Sequence, residues 1–220
     1  RSVLHGQIGE VGAVKRHIAC FCETTFEADI PEAADAKQDP GIEEQILDGS
    51  FMELHCPACG KRLTPEFPFH LTGLAGAGDI FMIPETDRAS YVAGSLAYPV
   101  GTPARVAMGF AELAEKVLIS RAGLDDRVIE IMKYYLLTGP ASKGEETPSD
   151  VTISWHGKEG GKHVFHVAGL REGEVAVARL ADDLYAKIAA DVEQRVTQEP
   201  FRDFCEPPWV SLRRVAGEKT

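Results

Sequence analysis

The amino-acid sequence predicts an α+β protein with a β-rich N-terminal part, a helical hairpin and a small C-terminal α+β part. Short segments with a period of two fill much of the first third, and two stretches in the middle have the period of amphipathic helices. Strand and helix patterns alternate again near the C-terminus. The 220 residues suffice to bury a core, and 44% hydrophobic and 26% charged residues are typical of a globular protein.

The first third alternates strands with turns. The stretch "TTFEADI", residues 24–30, has one apolar and one polar face, which predicts a half-buried strand. Asp39 is a good N-cap and Gly49 accepts a left-handed C-terminal position, so a short helix is expected between them. "FMELH" and "RLTPEFPFHL" predict strands on either side of a cysteine pair. Pro65 and Pro68 predict that the second of these strands lies at a sheet edge.

Two short strands, "DIFMIP" and "ARVAMG", precede a predicted helical hairpin. Apolar residues recur there at intervals of three and four, giving the stripes Phe110, Leu113, Ala114, Val117, Leu118 and Val128, Ile131, Met132, Tyr135, Leu136. Gly123 is expected to end the first helix and Asp125 to cap the second. The charged residues of the hairpin are expected to form caps and surface pairs. They are Glu112, Glu115, Lys116, Asp125, Asp126, Glu130 and Lys133.

Residues 138–150, rich in Gly, Pro, Ser and charge, predict a linker between an N-terminal domain, 1–137, and a C-terminal domain, 151–220. In the second domain "VTISWHG" and "KHVFHVAG" flank the turn "KEGG" and predict a β-hairpin. "EVAVARL" predicts a further strand, and a helix is expected near residues 182–197. "EPPWVSL" is expected to be extended.

The net charge of −11 would repel a phosphate backbone at long range, so nucleic acid is disfavoured as a partner. No apolar run approaches the ~20 residues that span a bilayer, so we expect no membrane insertion. The N-terminal stretch "RSVLHGQIGE" lacks the apolar core of a secretory signal. The expected location is therefore the cytoplasm.

The most informative feature is two close cysteine pairs, Cys20 with Cys22 and Cys56 with Cys59. Hairpin closure would bring together four thiolates, the soft ligands that Zn²⁺ prefers in a tetrahedral site. Such a site has no open position for water or substrate, so the metal is expected to be structural. Zinc binding would then contribute ~10 kcal/mol to holding the two cysteine pairs together.

Other interpretations of the cysteines stay open. Disulfides are disfavoured because the chain is long and has an odd fifth thiol, Cys205, which we expect to be a buried or incidental cysteine. A redox-active "CPAC" pair is disfavoured because a strand pattern, not a helix, follows it. A histidine could replace one thiol, and the nearby candidates are His17, His55 and His70.

The stretches "IACFCETTFEADI", "PGIEEQILDGSFMELHCPACGKRL" and "ELAEKVLISRAGLDDRVIEIMKYYLL" together resemble the CpXC family of bacterial and archaeal proteins, over residues 16–137. The resemblance implies a zinc-ribbon-like fold and no established activity. In the family pattern the first cysteine would fall on Ala19, whereas Cys20 takes the place of the proline. We expect a shifted backbone to bring Cys20 to the metal.

The leading functional hypothesis is a zinc-stabilised binding or scaffold module with a protein partner, and not an enzyme. One alternative is an enzyme whose acidic site lies between the two domains. Another is a nucleic-acid-binding zinc ribbon that uses the cations beside the cysteine pairs, namely Lys15, Arg16, Lys61 and Arg62. His163 and His166 lie three residues apart on a predicted strand, so we expect them on opposite faces and not as joint metal ligands.

Overall fold

The computed structural model describes residues 12–76, 78–96, 104–139 and 151–215 and confirms an α+β fold. The strands are β1 Ala13–Ala19, β2 Thr25–Pro31, β3 Ala33–Asp35, β4 Leu54–His55, β5 Arg62–Leu63, β6 Phe69–Leu74, β7 Gly78–Ile83, β8 Arg105–Met108, β9 Thr152–Glu159, β10 Lys162–Ala168 and β11 Val175–Ala181. The α-helices are α1 Ile42–Asp48, α2 Arg88–Val92, α3 Gly109–Arg121, α4 Asp126–Thr138, α5 Asp182–Ala189, α6 Val192–Arg195 and α7 Phe201–Cys205.

Two small antiparallel hairpins, β1–β2 and β4–β5, carry the cysteine pairs in their turns. The first pairs seven residues of each strand, whereas the second pairs only two. We call these two hairpins together the cysteine ribbon. Helix α1 lies between them in sequence and ends as expected, because Gly49 has a φ of 76°. It begins at Ile42, slightly later than predicted, and the Asp39 carboxylate accepts from the Gly41 N–H at 3.1 Å.

A four-stranded mixed sheet with the order β3-β6-β7-β8 adjoins the ribbon. Strands β6 and β7 are antiparallel, and the β3–β6 and β7–β8 pairs are parallel. Strand β8 runs directly into α3, which packs against α1 and against this sheet. The ribbon, the sheet and α3 thus share one apolar core, which includes Ile18, Ile30, Ile46, Phe69, Leu71, Ile80, Leu113 and Val117.

The predicted edge strand at "RLTPEFPFHL" is wrong in two respects. It is two strands, β5 and β6, and β6 lies inside the four-stranded sheet. Pro65 and Pro68 stand in the connecting segment, where neither has to donate to a ladder. The same segment has a structural task, since the Glu66 carboxylate accepts from the Phe110 N–H at 2.9 Å, near the start of α3, and from the Glu85 N–H at 2.7 Å.

The helical hairpin is confirmed, and the Asp125 carboxylate caps α4 by accepting from the Arg127 N–H at 2.9 Å. A second apolar core lies between this hairpin and the C-terminal elements, and it includes Ile119, Val128, Ile131, Met132, Trp155, Phe165, Ile188 and Phe204. The C-terminal sheet has the order β11-β10-β9. Helix α3 therefore contributes side chains to both cores.

The charged residues of the hairpin are not mainly surface pairs, contrary to expectation. Glu112, Lys116, Glu130 and Lys133 are buried. The Lys133 ammonium donates to Glu130 at 2.6 Å and to Glu115 at 2.7 Å. These two carboxylates raise the pKa of Lys133 against the opposing effect of its burial. Because α3 and α4 are covered on more than one side, their polar stripes face other parts of the protein and find partners there.

Those partners include the C-terminal segment 208–213. The Glu112 carboxylate accepts from the Trp209 indole at 3.0 Å and from the Ser211 hydroxyl at 2.8 Å. The Glu130 carboxylate accepts from the Leu212 N–H at 2.7 Å. The Pro208 carbonyl accepts from the Val106 N–H at 2.8 Å, so this segment also covers the free edge of β8. The stretch predicted only as extended is thus an integral part of the fold.

The helix predicted near residues 182–197 is interrupted, since Asp191 has the non-helical angles φ −132° and ψ 21° between α5 and α6. Its apolar side is as predicted, because Leu184, Ile188, Val192 and Val196 all join the second core. The predicted linker at 138–150 falls largely outside the described residues, and Thr138 is the last residue of α4. The division into two domains stays a prediction. No α-helix among the described residues is both long and apolar enough to cross a membrane.

His163 is fully buried at the base of the C-terminal sheet. The Trp155 indole N–H donates to its Nδ1 at 3.1 Å, so the proton of the neutral ring is on Nε2, which lies 2.9 Å from the Asp182 carboxylate. Its ring also stacks on Tyr185. This arrangement needs a neutral imidazole, because a proton on Nδ1 would displace the indole hydrogen bond.

Acidification is expected to destabilise the protein through His163. Burial lowers the pKa of His163 in the folded protein against the opposing effect of its hydrogen bond to Asp182. The unfolded chain, with an ordinary histidine pKa of about 6.5, binds more protons, so the free energy of unfolding falls as the pH drops from about 7 to about 5. Urea unfolding at both pH values should show a smaller fall for His163→Gln than for the native protein. An equal fall in both proteins would contradict this assignment.

Candidate metal centre

The first cysteine turn joins β1 to β2. The last pair of the ladder is Ala19 with Thr25. Beyond it the Cys20 N–H donates to the Thr24 carbonyl at 2.9 Å, and the Glu23 N–H donates to the Cys20 carbonyl at 2.9 Å. Glu23 has a φ of 67°, in the left-handed region that costs a non-glycine residue free energy. The tight turn places Cys20 and Cys22 on the same side.

The second cysteine turn joins β4 to β5 and is one residue longer. The Cys56 N–H donates to the Lys61 carbonyl at 3.0 Å, and the Gly60 N–H donates to the Cys56 carbonyl at 2.9 Å. Gly60 has a φ of 70°. In both turns the residue directly after the second cysteine is left-handed, so a C-x-C and a C-x-x-C sequence reach a similar arrangement.

The two turns bring all four sulfur atoms together. The Sγ atoms of Cys20, Cys22, Cys56 and Cys59 lie within 4.8 Å of one another. Cys20 and Cys59 are 3.6 Å apart, as are Cys22 and Cys56. A tetrahedral site with metal–sulfur bonds of ~2.3 Å has sulfur–sulfur edges of ~3.8 Å. The cluster therefore has the size and the soft donor set of a four-thiolate zinc site.

The electrostatics of the cluster favour a cation at its centre. Hydrogen bonds with the Thr24 side chain and backbone, and with the thiols of Cys59 and Cys20, lower the pKa of Cys22 to about 6. A backbone hydrogen bond from Lys61 favours the Cys59 thiolate, but the thiols around it oppose its ionisation more strongly and raise its pKa to about 12. The Cys22 thiolate therefore forms easily, whereas the Cys59 thiolate does not. A divalent cation would remove this mutual repulsion.

The cluster bridges the apolar core and the surface. Cys20 and Cys56 are buried and belong to the N-terminal core, whereas Cys22 and Cys59 are exposed. Five free cysteines are present in the protein, and the fifth, Cys205, is buried in the second core as expected. Burial raises the pKa of the Cys205 thiol, which suits a neutral packing role.

The chain was compared with known proteins. A protein-family model with the description CpXC protein matches residues 18–133. The chain belongs to the CpXC family. An uncharacterized protein of Treponema pallidum (strain Nichols) is 24% identical over 186 residues, which cover 78% of this chain and 85% of that protein. No solved structure matches the chain.

The departure from the CpXC pattern at Ala19 has a structural explanation. Ala19 is exposed and still pairs with Thr25, so it is the last residue of β1 and not part of the turn. Cys20 is buried, and its sulfur is the one that faces Cys59. The hairpin turn therefore starts one residue later than the C-x-x-C spacing would need, and the cysteine is shifted with it.

The histidine candidates lie in other contacts. His17 is 3.7 Å from Glu27, and His55 is 3.6 Å from Glu53. His70 lies 2.7 Å from the Asp79 carboxylate in the four-stranded sheet. In the part of the chain that the structure describes, the only group of three or more potential ligands with metal-site spacing is the four cysteines. The "CPAC" pair is followed by β5, so it lacks the helix N-terminus of a redox-active pair.

Three of the four cations beside the cysteines pair with carboxylates. Lys15 binds Asp29 at 3.1 Å, Arg16 binds Glu32 at 2.7 Å, and Arg62 binds Glu53 at 2.8 Å. The fourth, Lys61, lies 4.1 Å from the ring centroid of Phe21. This contact connects the tips of the two turns. Sequence reasoning missed Phe21, although an aromatic residue between two predicted ligands was a visible signal.

The left-handed residues of the two turns predict opposite effects of substitution. Gly60→Ala is expected to lower the free energy of unfolding by about 1 kcal/mol, because only the backbone angle is strained. A Cβ at Gly60 would meet no atom within 4 Å. Glu23→Gly is expected to raise it by about 1 kcal/mol by relieving the same strain. Thermal unfolding of the two variants measures both, and shifts of the same sign in both would contradict the matched turn geometry.

Proposed function

We propose that the four CpXC cysteines, Cys20, Cys22, Cys56 and Cys59, bind one structural Zn²⁺. The observation that carries this proposal is the convergence of their sulfurs within 4.8 Å on two facing hairpin turns. Four thiolates suit Zn²⁺, and a closed set of four protein ligands leaves no coordination position for substrate. The metal would hold the ribbon together and would not take part in chemistry.

The ribbon has a physical need for such a link. Strands β4 and β5 pair through only two residues each, and an isolated hairpin of this length is not stable in water. Zinc binding would contribute ~10 kcal/mol to the folded state. The metal would thereby add to the few apolar contacts that Leu54 and Leu63 give this hairpin.

Metal analysis tests this proposal. We expect the purified protein to contain about one zinc per chain, as in other closed four-thiolate sites. Cys20→Ala should lose most of the metal, whereas Cys205→Ala, the same substitution in the second core, should retain it. His17→Ala, His55→Ala and His70→Ala should also retain it. Cobalt substitution should give the intense visible absorption of a tetrahedral thiolate site, which Cys20→Ala should not show.

Two results would contradict the four-cysteine site. Less than about half an equivalent of zinc, with the four thiols of the ribbon reactive, would exclude a resident zinc. Full zinc content in Cys20→Ala together with metal loss in one histidine variant would show that this histidine, and not Cys20, is the fourth ligand.

The cysteine ribbon is further proposed to act as a binding or scaffold module for a protein partner. Phe21 stands between two of the proposed ligands and is 83% exposed, an unusual exposure for an aromatic side chain. Metal binding by the neighbouring Cys20 and Cys22, together with the contact with Lys61, would fix the position of the Phe21 ring. Rigid exposed aromatic residues are typical anchors of protein interfaces. The carboxylates that pair with Lys15, Arg16 and Arg62 count against a nucleic-acid surface here.

The enzyme alternative has less support. Among the described residues, the buried carboxylates Glu112 and Glu130 each accept hydrogen bonds from the C-terminal segment. Partners of this kind favour a structural role. A cytoplasmic location remains part of the proposal, because five free cysteines suit a reducing compartment.

Phe21→Ala tests the protein-binding role. The variant should keep its zinc and its thermal stability, because the side chain is exposed. Its enrichment of the partner protein should fall by at least about tenfold relative to the native protein. Val92→Ala is the matched control, since Val92 is 66% exposed and lies far along the chain from the ribbon. Quantitative affinity enrichment from the source cells measures this. An identical set of enriched proteins with all three baits would contradict a role of Phe21.

A further inference from the structure

A cavity of about 390 Å³ lies at the turn between α3 and α4. Its walls come from the turn after β6, from β7 and β8, from the C-terminal half of α3 and from the start of α4. It is separate from the cysteine ribbon, and its volume is within the range of small-molecule sites.

Three charged side chains form one end of the cavity. The Asp126 carboxylate accepts two hydrogen bonds from the Arg105 guanidinium, at 2.7 and 2.9 Å, and one from the Lys116 ammonium at 3.0 Å. The side chains of Arg105, Asp126 and Lys116 are only 21, 11 and 6% exposed. Two cations thus meet one carboxylate in a mostly buried place, and Lys116 also attracts the buried Glu130 carboxylate.

The other two charges of the cavity wall balance each other. Asp125 and Arg127 pair with each other at 2.7 Å and cancel. The further partner of Arg127 is Glu193, which is 79% exposed and therefore screened by solvent. The charged residues of the wall sum to +1, although the whole chain carries −11. A local excess of positive charge in an acidic protein points to an anionic ligand.

The cations keep donors for such a ligand. Arg105 uses three of its five N–H groups, two for Asp126 and one for the Ala104 carbonyl, within the described part of the chain. Lys116 uses two of its three, for Asp126 and for the Val210 carbonyl. Arginine and lysine together are typical oxyanion ligands, because guanidinium and ammonium groups make charge-assisted hydrogen bonds.

Apart from Ser120, whose hydroxyl donates to the Ala75 carbonyl at 2.8 Å, the rest of the wall is apolar or open. Ile80, Ile119 and Leu124 line it beside the charged end. Gly76 and Gly123 also line it, and a Cβ at either position would meet no atom within 4 Å. The cavity therefore has room for an apolar body next to the group that the cations would hold.

We propose that this cavity binds a small organic anion, whose single oxyanion group, a carboxylate or a phosphate, is held by Arg105 and Lys116. The apolar part of the molecule lies against Ile80, Ile119 and Leu124. The ligand brings a negative charge to a wall whose own charged residues sum to +1. This site is independent of the metal and of the partner proposed for the ribbon.

Two probes, inorganic phosphate and benzoate, test the proposal on the whole 220-residue chain loaded with zinc. Titration followed by amide chemical shifts should give saturable changes confined to Gly76, Gly123, Leu124 and their neighbours. Saturation by phosphate supports a phosphate ligand, and saturation by benzoate supports a carboxylate with an apolar body. Lys116→Met leaves the Arg105–Asp126 pair balanced and should weaken binding by at least about tenfold. Lys37→Met makes the same charge change at an exposed residue and should leave binding unchanged.

A second variant covers the case in which Lys116→Met does not fold. Leu124→Trp fills the cavity without altering its charge and should abolish the same shift changes. The proposal is overturned if neither probe saturates, if the shift changes are scattered over the surface, or if the folded variants bind as tightly as the native protein.

Discussion

The rest of the structure depends on the buried charges of the helical hairpin. A charged group inside a protein must be paired or hydrogen-bonded, and an uncompensated one costs several kcal/mol, roughly the magnitude of a whole domain's stability. Glu112 and Glu130 meet this requirement through the Trp209 indole, the Ser211 hydroxyl and the Leu212 N–H. The C-terminal segment is therefore specified by the helices it returns to. This segment also covers the open edge of β8, the last strand of the sheet whose other edge is β3.

The ribbon and the helical hairpin are stabilised by different means. Helix α3 supplies apolar side chains to both cores and charged ones to the pairs between them. The β4–β5 hairpin pairs only two residues of each strand, too few for strand pairing to hold it in place. Its link to β1–β2 is proposed to be the metal. Cys20 and Cys56 take part in both the apolar packing and the proposed metal link, because they belong to the apolar core and also face the other two sulfurs.

The proposed anion site uses part of the same buried network. Lys116 donates both to Asp126, in the cavity, and to the Val210 carbonyl of the C-terminal segment. One ammonium group thus anchors the end of the chain and leaves a positive charge at the cavity. The family membership is shown, whereas the metal, the partner and the anion are distinct proposals that distinct variants test.

The sequence by itself determined the α+β class, the family, the helical hairpin with its Asp125 cap, and the cysteines that converge, since these depend on periodicity and spacing within short segments. Tertiary structure decided the position of β6 inside a sheet and the burial of Glu112 and Lys133, because both depend on what packs against them from distant parts of the chain. The same is true of the stretch "EPPWVSL". It has no periodicity of its own, and its conformation comes from the donors and acceptors that α3, α4 and β8 present to it.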